Sequence, residues 1–120
     1  MVARAGIKLD EMSRRGPVAI WGAGAKGVTL ANLLDPLRER IACVVDLNPA
    51  KQGRFLPGTG HPIIGPHELE EFEVRTALVM NANYAQEIEA LLRERDLRIE
   101  LVDPSQWLEA DSLAAAGVGQ

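Results

Sequence analysis

The 120-residue sequence holds one cysteine, Cys43, and only 4% aromatic residues. A lone cysteine allows neither an internal disulfide nor a cysteine-rich zinc site, and it suits a reducing, cytoplasmic compartment. No apolar run reaches the roughly 18 residues that a membrane helix needs; the longest stretches, such as Ile41–Val45 and Ala77–Met80, fall far short. The N-terminal MVARAGIKLDEMSRR lacks the apolar stretch of a secretory signal. An excess of positive charge is also missing. The net charge of -4 argues against non-specific nucleic-acid binding. With 47% hydrophobic and 25% charged residues the composition is that of an ordinary globular domain, which excludes disorder and low complexity. There is no G-x-S-x-G, no H-E-x-x-H, no paired-histidine spacing and no P-loop, so no catalytic set and no metal site is expected.

What is present reads as alternating strands and helices. Residues 4–15 carry mixed charge around Ile7, Leu9 and Met12 and suit a helix or a linker, closed by Gly16-Pro17. Val18-Ala19-Ile20-Trp21 and Ile41–Val45 are continuous apolar runs of the kind found in buried parallel strands. Between them, Ala25 to Leu34 has helical spacing. An irregular, glycine- and proline-containing stretch from Leu47 to His61 leads to a brief edge strand at Pro62–Ile64. Gly65-Pro66 opens a short helix, Thr76–Met80 is a further strand, and Asn83 is placed to cap a helix over residues 84–95, with Gln86 three residues on. Arg98–Val102 is the last strand. The pattern predicts a doubly wound α/β fold, a Rossmann-like three-layer α/β/α sandwich of about five parallel strands. The expected strand order places the 62–64 edge outside the second strand, then the first strand, then 76–80 and 98–102, and right-handed crossovers put helices on both faces. The expected division is a helix or linker at 1–16, one nucleotide-binding domain at 17–112 and a frayed tail at 113–120.

The sharpest local signal is Gly22-Ala23-Gly24-Ala25-Lys26-Gly27, a G-x-G-x-x-G between a strand and a helix. In that context the first glycine makes a tight turn, the second admits a phosphate, and the third packs helix on strand. The helix N-terminus and Lys26 add positive potential. Asp46 ends the second strand about 20 residues further on, where an acid accepts hydrogen bonds from sugar hydroxyls. The plainer alternative is that the glycines only allow close packing and Asp46 only starts a turn with Asn48-Pro49. Motif, context and acid together favour an anionic, nucleotide-type ligand. The loop Gly53–His61, which offers Arg54, Thr59 and His61 among glycines, either meets this ligand or is a solvated surface loop. Asn81, Asn83 and Tyr84 follow a strand at the same sheet edge, where a cap and an aromatic packing contact would also explain them. Cys43, Trp21 and Trp107 read as packing residues and His67 as solvated.

The strings IWGAGAKGVTLANLL, VVDLNPAKQGRFLPGTGHPIIGPHEL and LVMNANYAQEI resemble the C-terminal domain of S-adenosylmethionine-dependent C-methyltransferases acting on nucleotide-linked deoxysugars. The resemblance runs from about Val18 to Leu92. It implies a Rossmann-like domain behind a zinc-binding domain and a methyltransferase domain, with the nucleotide sugar held between the last two. By that likeness Gly22–Gly27, Pro57–His61 and Asn81–Tyr84 face a nucleotide-diphosphate sugar. S-adenosylmethionine is then expected in a partner domain, upstream or in trans, with no cofactor in this chain. The sequence departs from the family in lacking a cysteine cluster and a donor-binding domain, so it is not expected to methylate anything alone. The helix at 4–15 would suit a connection from an upstream domain. The rival expectation is a stand-alone NAD-, coenzyme A- or nucleotide-binding or sensing module without catalysis.

Overall fold

The computed structural model describes residues 3–80 and 82–107; the expectations for Asn81 and for the tail at 113–120 lie outside the described residues. The apolar runs form strands β1 (Val18–Trp21), β2 (Ile41–Val45), β3 (Ile63–Ile64), β4 (Thr76–Leu78) and β5 (Glu100–Val102). All pair in parallel, in the order β3-β2-β1-β4-β5. This is the predicted order, and the fold is the expected α/β sandwich. Helices α1 (Ala3–Arg15) and α2 (Ala25–Leu34) cover one face, through a core of Ala5, Leu9, Met12, Ile20, Leu30 and Leu78. Helix α3 (Ala85–Glu94) and a 3-10 turn at Pro66–Glu68 cover the other, over Ala19, Cys43, Val45, Leu69 and Leu92. Strand residues alternate between these two apolar layers, which is why the runs are continuous rather than alternating.

The N-terminal segment is a helix integral to this core. Leu9 is fully buried and Met12 nearly so, whereas Ile7 projects to solvent on the far side. Strands β4 and β5 are shorter than the 76–80 and 98–102 predicted, although Val79 N–H still donates to Val102 O at 2.8 Å. The N-cap of α3 is Tyr84 (φ -89, ψ -8), which makes no side-chain cap bond, and Asn83 lies one residue earlier, inside the 3-10 turn Ala82–Tyr84. Cys43 is fully buried in β2, where loss of hydration, reinforced by the charge of Glu68, pushes its thiol up to about 12.

Two close approaches set the rest. The turn after β1 places Gly27 so that a Cβ on it would lie 2.0 Å from Gly22 O, so helix α2 can leave the strand only from glycine. Gly22 itself sits at φ +107 and donates its N–H to Val45 O at 2.6 Å. At the other end of α2, buried Asp35 accepts the N–H groups of Glu39 (2.8 Å), Arg40 (3.1 Å) and Ile41 (2.8 Å), gathering the turn that leads into β2. It also meets His61 Nε2 at 2.9 Å. Burial pushes the Asp35 carboxyl up, but the donors Ile41, His61, Glu39 and Arg40 outweigh it and hold it below the ordinary carboxylate value. Arg40 in turn pairs with Asp10, tying this turn to α1.

Two outcomes follow for stability. Gly27→Ala should cost roughly 2–3 kcal/mol in urea denaturation, because the new methyl meets backbone rather than a movable side chain. Asp35→Asn should cost roughly 3 kcal/mol at neutral pH by breaking a buried, multiply bonded anion. Since the folded carboxyl ionises more readily than the unfolded one, that contribution is complete above an unfolded value of about 3.9 and fades as pH falls through the lower folded value. Denaturation curves of the two proteins should therefore converge in acid.

Candidate functional site

In a parallel sheet the carboxyl ends of the strands share one edge, and ligands collect where the strand order reverses. Here the chain runs outward from β1 through β2 to β3 and then, after returning, through β4 to β5, so the reversal lies between β1 and β4. The glycine turn stands at that point. Gly24 is the N-cap of α2 with no side-chain cap, and it is exposed together with Ala25 and Lys26. A helix begun in this way leaves its first N–H groups without helical partners and with a positive field.

The two outer glycines of the motif have structural reasons to be glycine. The middle one does not. Gly24 has φ -80 and ψ -169, open to any residue, and a Cβ there would meet nothing within 4 Å. The space beside it belongs to a cavity of about 360 Å³ lined by Trp21, Gly22, Gly24–Gly27, Val79, Met80 and Tyr84. A second cavity of about 380 Å³ adjoins it through Trp21, Gly22 and Tyr84, and is otherwise lined by Val45, Asp46 and Leu47 on one side and Glu87, Ile88 and Leu91 of α3 on the other. Each is within the range of small-ligand sites. One end of the cleft offers backbone N–H groups and the Lys26 ammonium, and the other an apolar floor with two carboxylates.

Asp46 lies between these halves. Its Oδ2 accepts the Ala23 N–H at 2.9 Å and its Oδ1 accepts the Asn48 N–H at 2.9 Å. Both readings of this residue are therefore visible. It starts the turn, and it fixes the glycine loop while lining the cleft.

The structure brings together Gly22, Ala23, Gly24, Ala25, Lys26, Gly27, Asp46 and Tyr84, the last 55% exposed at the rim. Asn83 is exposed in the same 3-10 turn but does not line the cavities. None of Pro57–His61 lines either cavity. This loop packs along α2, where Asn32 Nδ2 donates to Pro57 O (3.3 Å) and Arg38 donates to Gly60 O (3.4 Å). Gly58 and Gly60 take positive φ to make this fit. Thr59 and His61 turn inward instead of outward to a ligand: His61 is fully buried, with Nδ1 2.6 Å from Thr59 Oγ1 and Nε2 on Asp35. His61 is therefore not solvated, and through Asp35 it ties the loop to the turn before β2.

Sequence reasoning missed Trp21, Met80, Leu47 and Glu87 as cleft residues. Trp21 carried a usable signal, since a large ring closing the strand directly before a glycine turn must stand at the ligand edge. Among the described residues no cluster of His, Cys, Asp and Glu could hold a metal, and no helix is long and apolar enough to cross a membrane.

Comparisons with known proteins agree with this architecture. A solved structure described as RSP, a Rex-family repressor, superposes over 92% of this chain with TM-score 0.51 and 18% identity, which establishes a shared fold. This chain spans 62% of that one's length. No curated protein sequence matches it. The family model for the C-methyltransferase C-terminal domain matches residues 6–98, which includes most of α1, the glycine turn, Asp46 and α3. The chain belongs to the C-methyltransferase C-terminal domain family.

Proposed function

We propose that this domain holds a nucleotide-diphosphate sugar at the carboxyl edge of its sheet, presenting the sugar to a separate S-adenosylmethionine-binding methyltransferase domain. The observation that carries this reading is the space at Gly24. Nothing in the fold requires glycine there, whereas a diphosphate approaching the start of α2 does. In this reading the N–H groups of Gly24–Gly27 and the Lys26 ammonium take the phosphates, and Asp46 keeps the loop in shape with lone pairs left for a hydroxyl. The nucleoside lies over the apolar half, against Trp21 and Tyr84. The methyl donor and the acid–base groups come from the partner domain. A cytoplasmic setting goes with such a substrate.

The test is a thermal-shift and calorimetric panel of deoxythymidine and uridine diphosphate sugars, NAD, coenzyme A and S-adenosylmethionine. A ligand at about 100 times its dissociation constant adds roughly 2.7 kcal/mol, a clear rise in Tm for a domain of this size. Diphosphate sugars should raise Tm, and S-adenosylmethionine should not. A response to NAD or coenzyme A alone would instead identify a stand-alone nucleotide sensor. Gly24→Val should abolish the response to the sugars while costing the fold only about 1 kcal/mol, the usual difference between a good and a poor N-cap. Undiminished binding by that variant would remove the assignment of the phosphates to this turn.

A further inference from the structure

Arginine outnumbers lysine ten to three in this sequence, and the cleft uses none of the arginines. Three of them meet at the opposite edge of the sheet. Arg15 ends α1, Arg75 immediately precedes β4, and Arg98 lies in the turn before β5, yet all three line one cavity of about 440 Å³ at the amino ends of the strands. The convergence has a local cause. Gly16 offers bare backbone, and a Cβ there would come within 2.3 Å of Arg75 Cγ, so the stem of Arg75 crosses where any other residue would stand.

Thr76 also lines it and is 2% exposed, its hydroxyl opening to the cavity: among the described residues no enclosed side-chain polar atom is left without a partner. Glu100, which pairs in register with Thr76, is the one carboxylate on this lining. Glu70 and Glu73 stand further out, on an adjoining cavity of about 280 Å³ that shares the three arginines. No carboxylate among the described residues lies within ion-pair distance of Arg15, Arg75 or Arg98. Guanidinium groups gathered without counter-ions repel one another, and their planar forks match tetrahedral oxyanions. Three exposed arginines on one open cavity, with a single carboxylate among its lining residues, therefore make an oxyanion the ligand this lining favours.

We infer that this cavity binds the phosphoryl group of a small molecule, with Arg15, Arg75 and Arg98 taking its oxygens and the Thr76 hydroxyl donating to it from below. This site is independent of the glycine turn, so the two can be tested apart. The probe is inorganic phosphate, titrated at constant ionic strength and followed by amide chemical shifts. Saturable shifts at residues 15–16, 75–76 and 98–100 are expected, and they should persist in Gly24→Val, which acts only at the other edge. Arg75→Gln and Arg98→Gln should each weaken binding by about tenfold, the scale of one charge-assisted hydrogen-bond pair, and Thr76→Val by less. Glutamine keeps the stem over Gly16, so in phosphate-free, low-salt buffer the arginine variants should melt at or above the parent Tm. The inference is overturned if these amides show no saturable response, if the substitutions leave it unchanged, or if Gly24→Val abolishes it. A lower Tm of the arginine variants without phosphate would also overturn it, since it would make the cluster a structural one.

Discussion

The contact on which this domain turns is the approach of α2 to the backbone that leaves β1, closed at Gly27 against Gly22 O. One missing Cβ lets the helix start directly at the strand's end instead of a residue or two later. Because of that, the helix N-terminus looks into the reversal between β1 and β4 rather than out to solvent. Asp46 reaches the Ala23 N–H only because the loop is drawn this tight. The cleft, its donors and the acid beside them are consequences of a packing constraint before they are adaptations to a ligand.

Two carboxylates bracket β2 and do comparable jobs. Asp35 collects the N–H groups of the turn entering the strand, and Asp46 those of the turns around its exit. The difference lies in their surroundings. Asp35 is sealed with His61 and serves the fold alone, while Asp46 keeps part of its surface at the cleft and can serve both. The same chemical solution, an anion accepting backbone donors, is structural at one end of the strand and available to a ligand at the other.

Most of the fold was legible because it depends on local pattern. Continuous apolar runs marked β1, β2 and β4, and their alternation with helical segments pointed to a parallel, doubly wound sheet. The glycine turn and Asp46 were legible for the same reason, being set by short-range spacing. What was not legible depends on partners distant in sequence. His61 could be read as a ligand contact or as a solvated residue because its partner, Asp35, lies 26 residues away. The 57–61 loop carries a distinctive string, but the string records how the chain must fold back along α2, as the Asn32 and Arg38 bonds show. The N-cap position moved from Asn83 to Tyr84 because a 3-10 turn at Ala82–Tyr84 leads into the helix. Arg15, Arg75 and Arg98 sit in three unrelated segments, and only the sheet brings them to one opening.

The burial of Cys43 has a consequence of another kind. The chain's one thiol lies in the strand beside β1, fully enclosed, with ionisation pushed up to about 12. While the sheet is intact it is closed to oxidants and to alkylating reagents, which act on thiolate. A reagent reaches it only in molecules whose second helical layer has lifted or whose strands have parted. The rate of its modification therefore counts openings of the sheet, and the protein carries within its core a clock for its own unfolding.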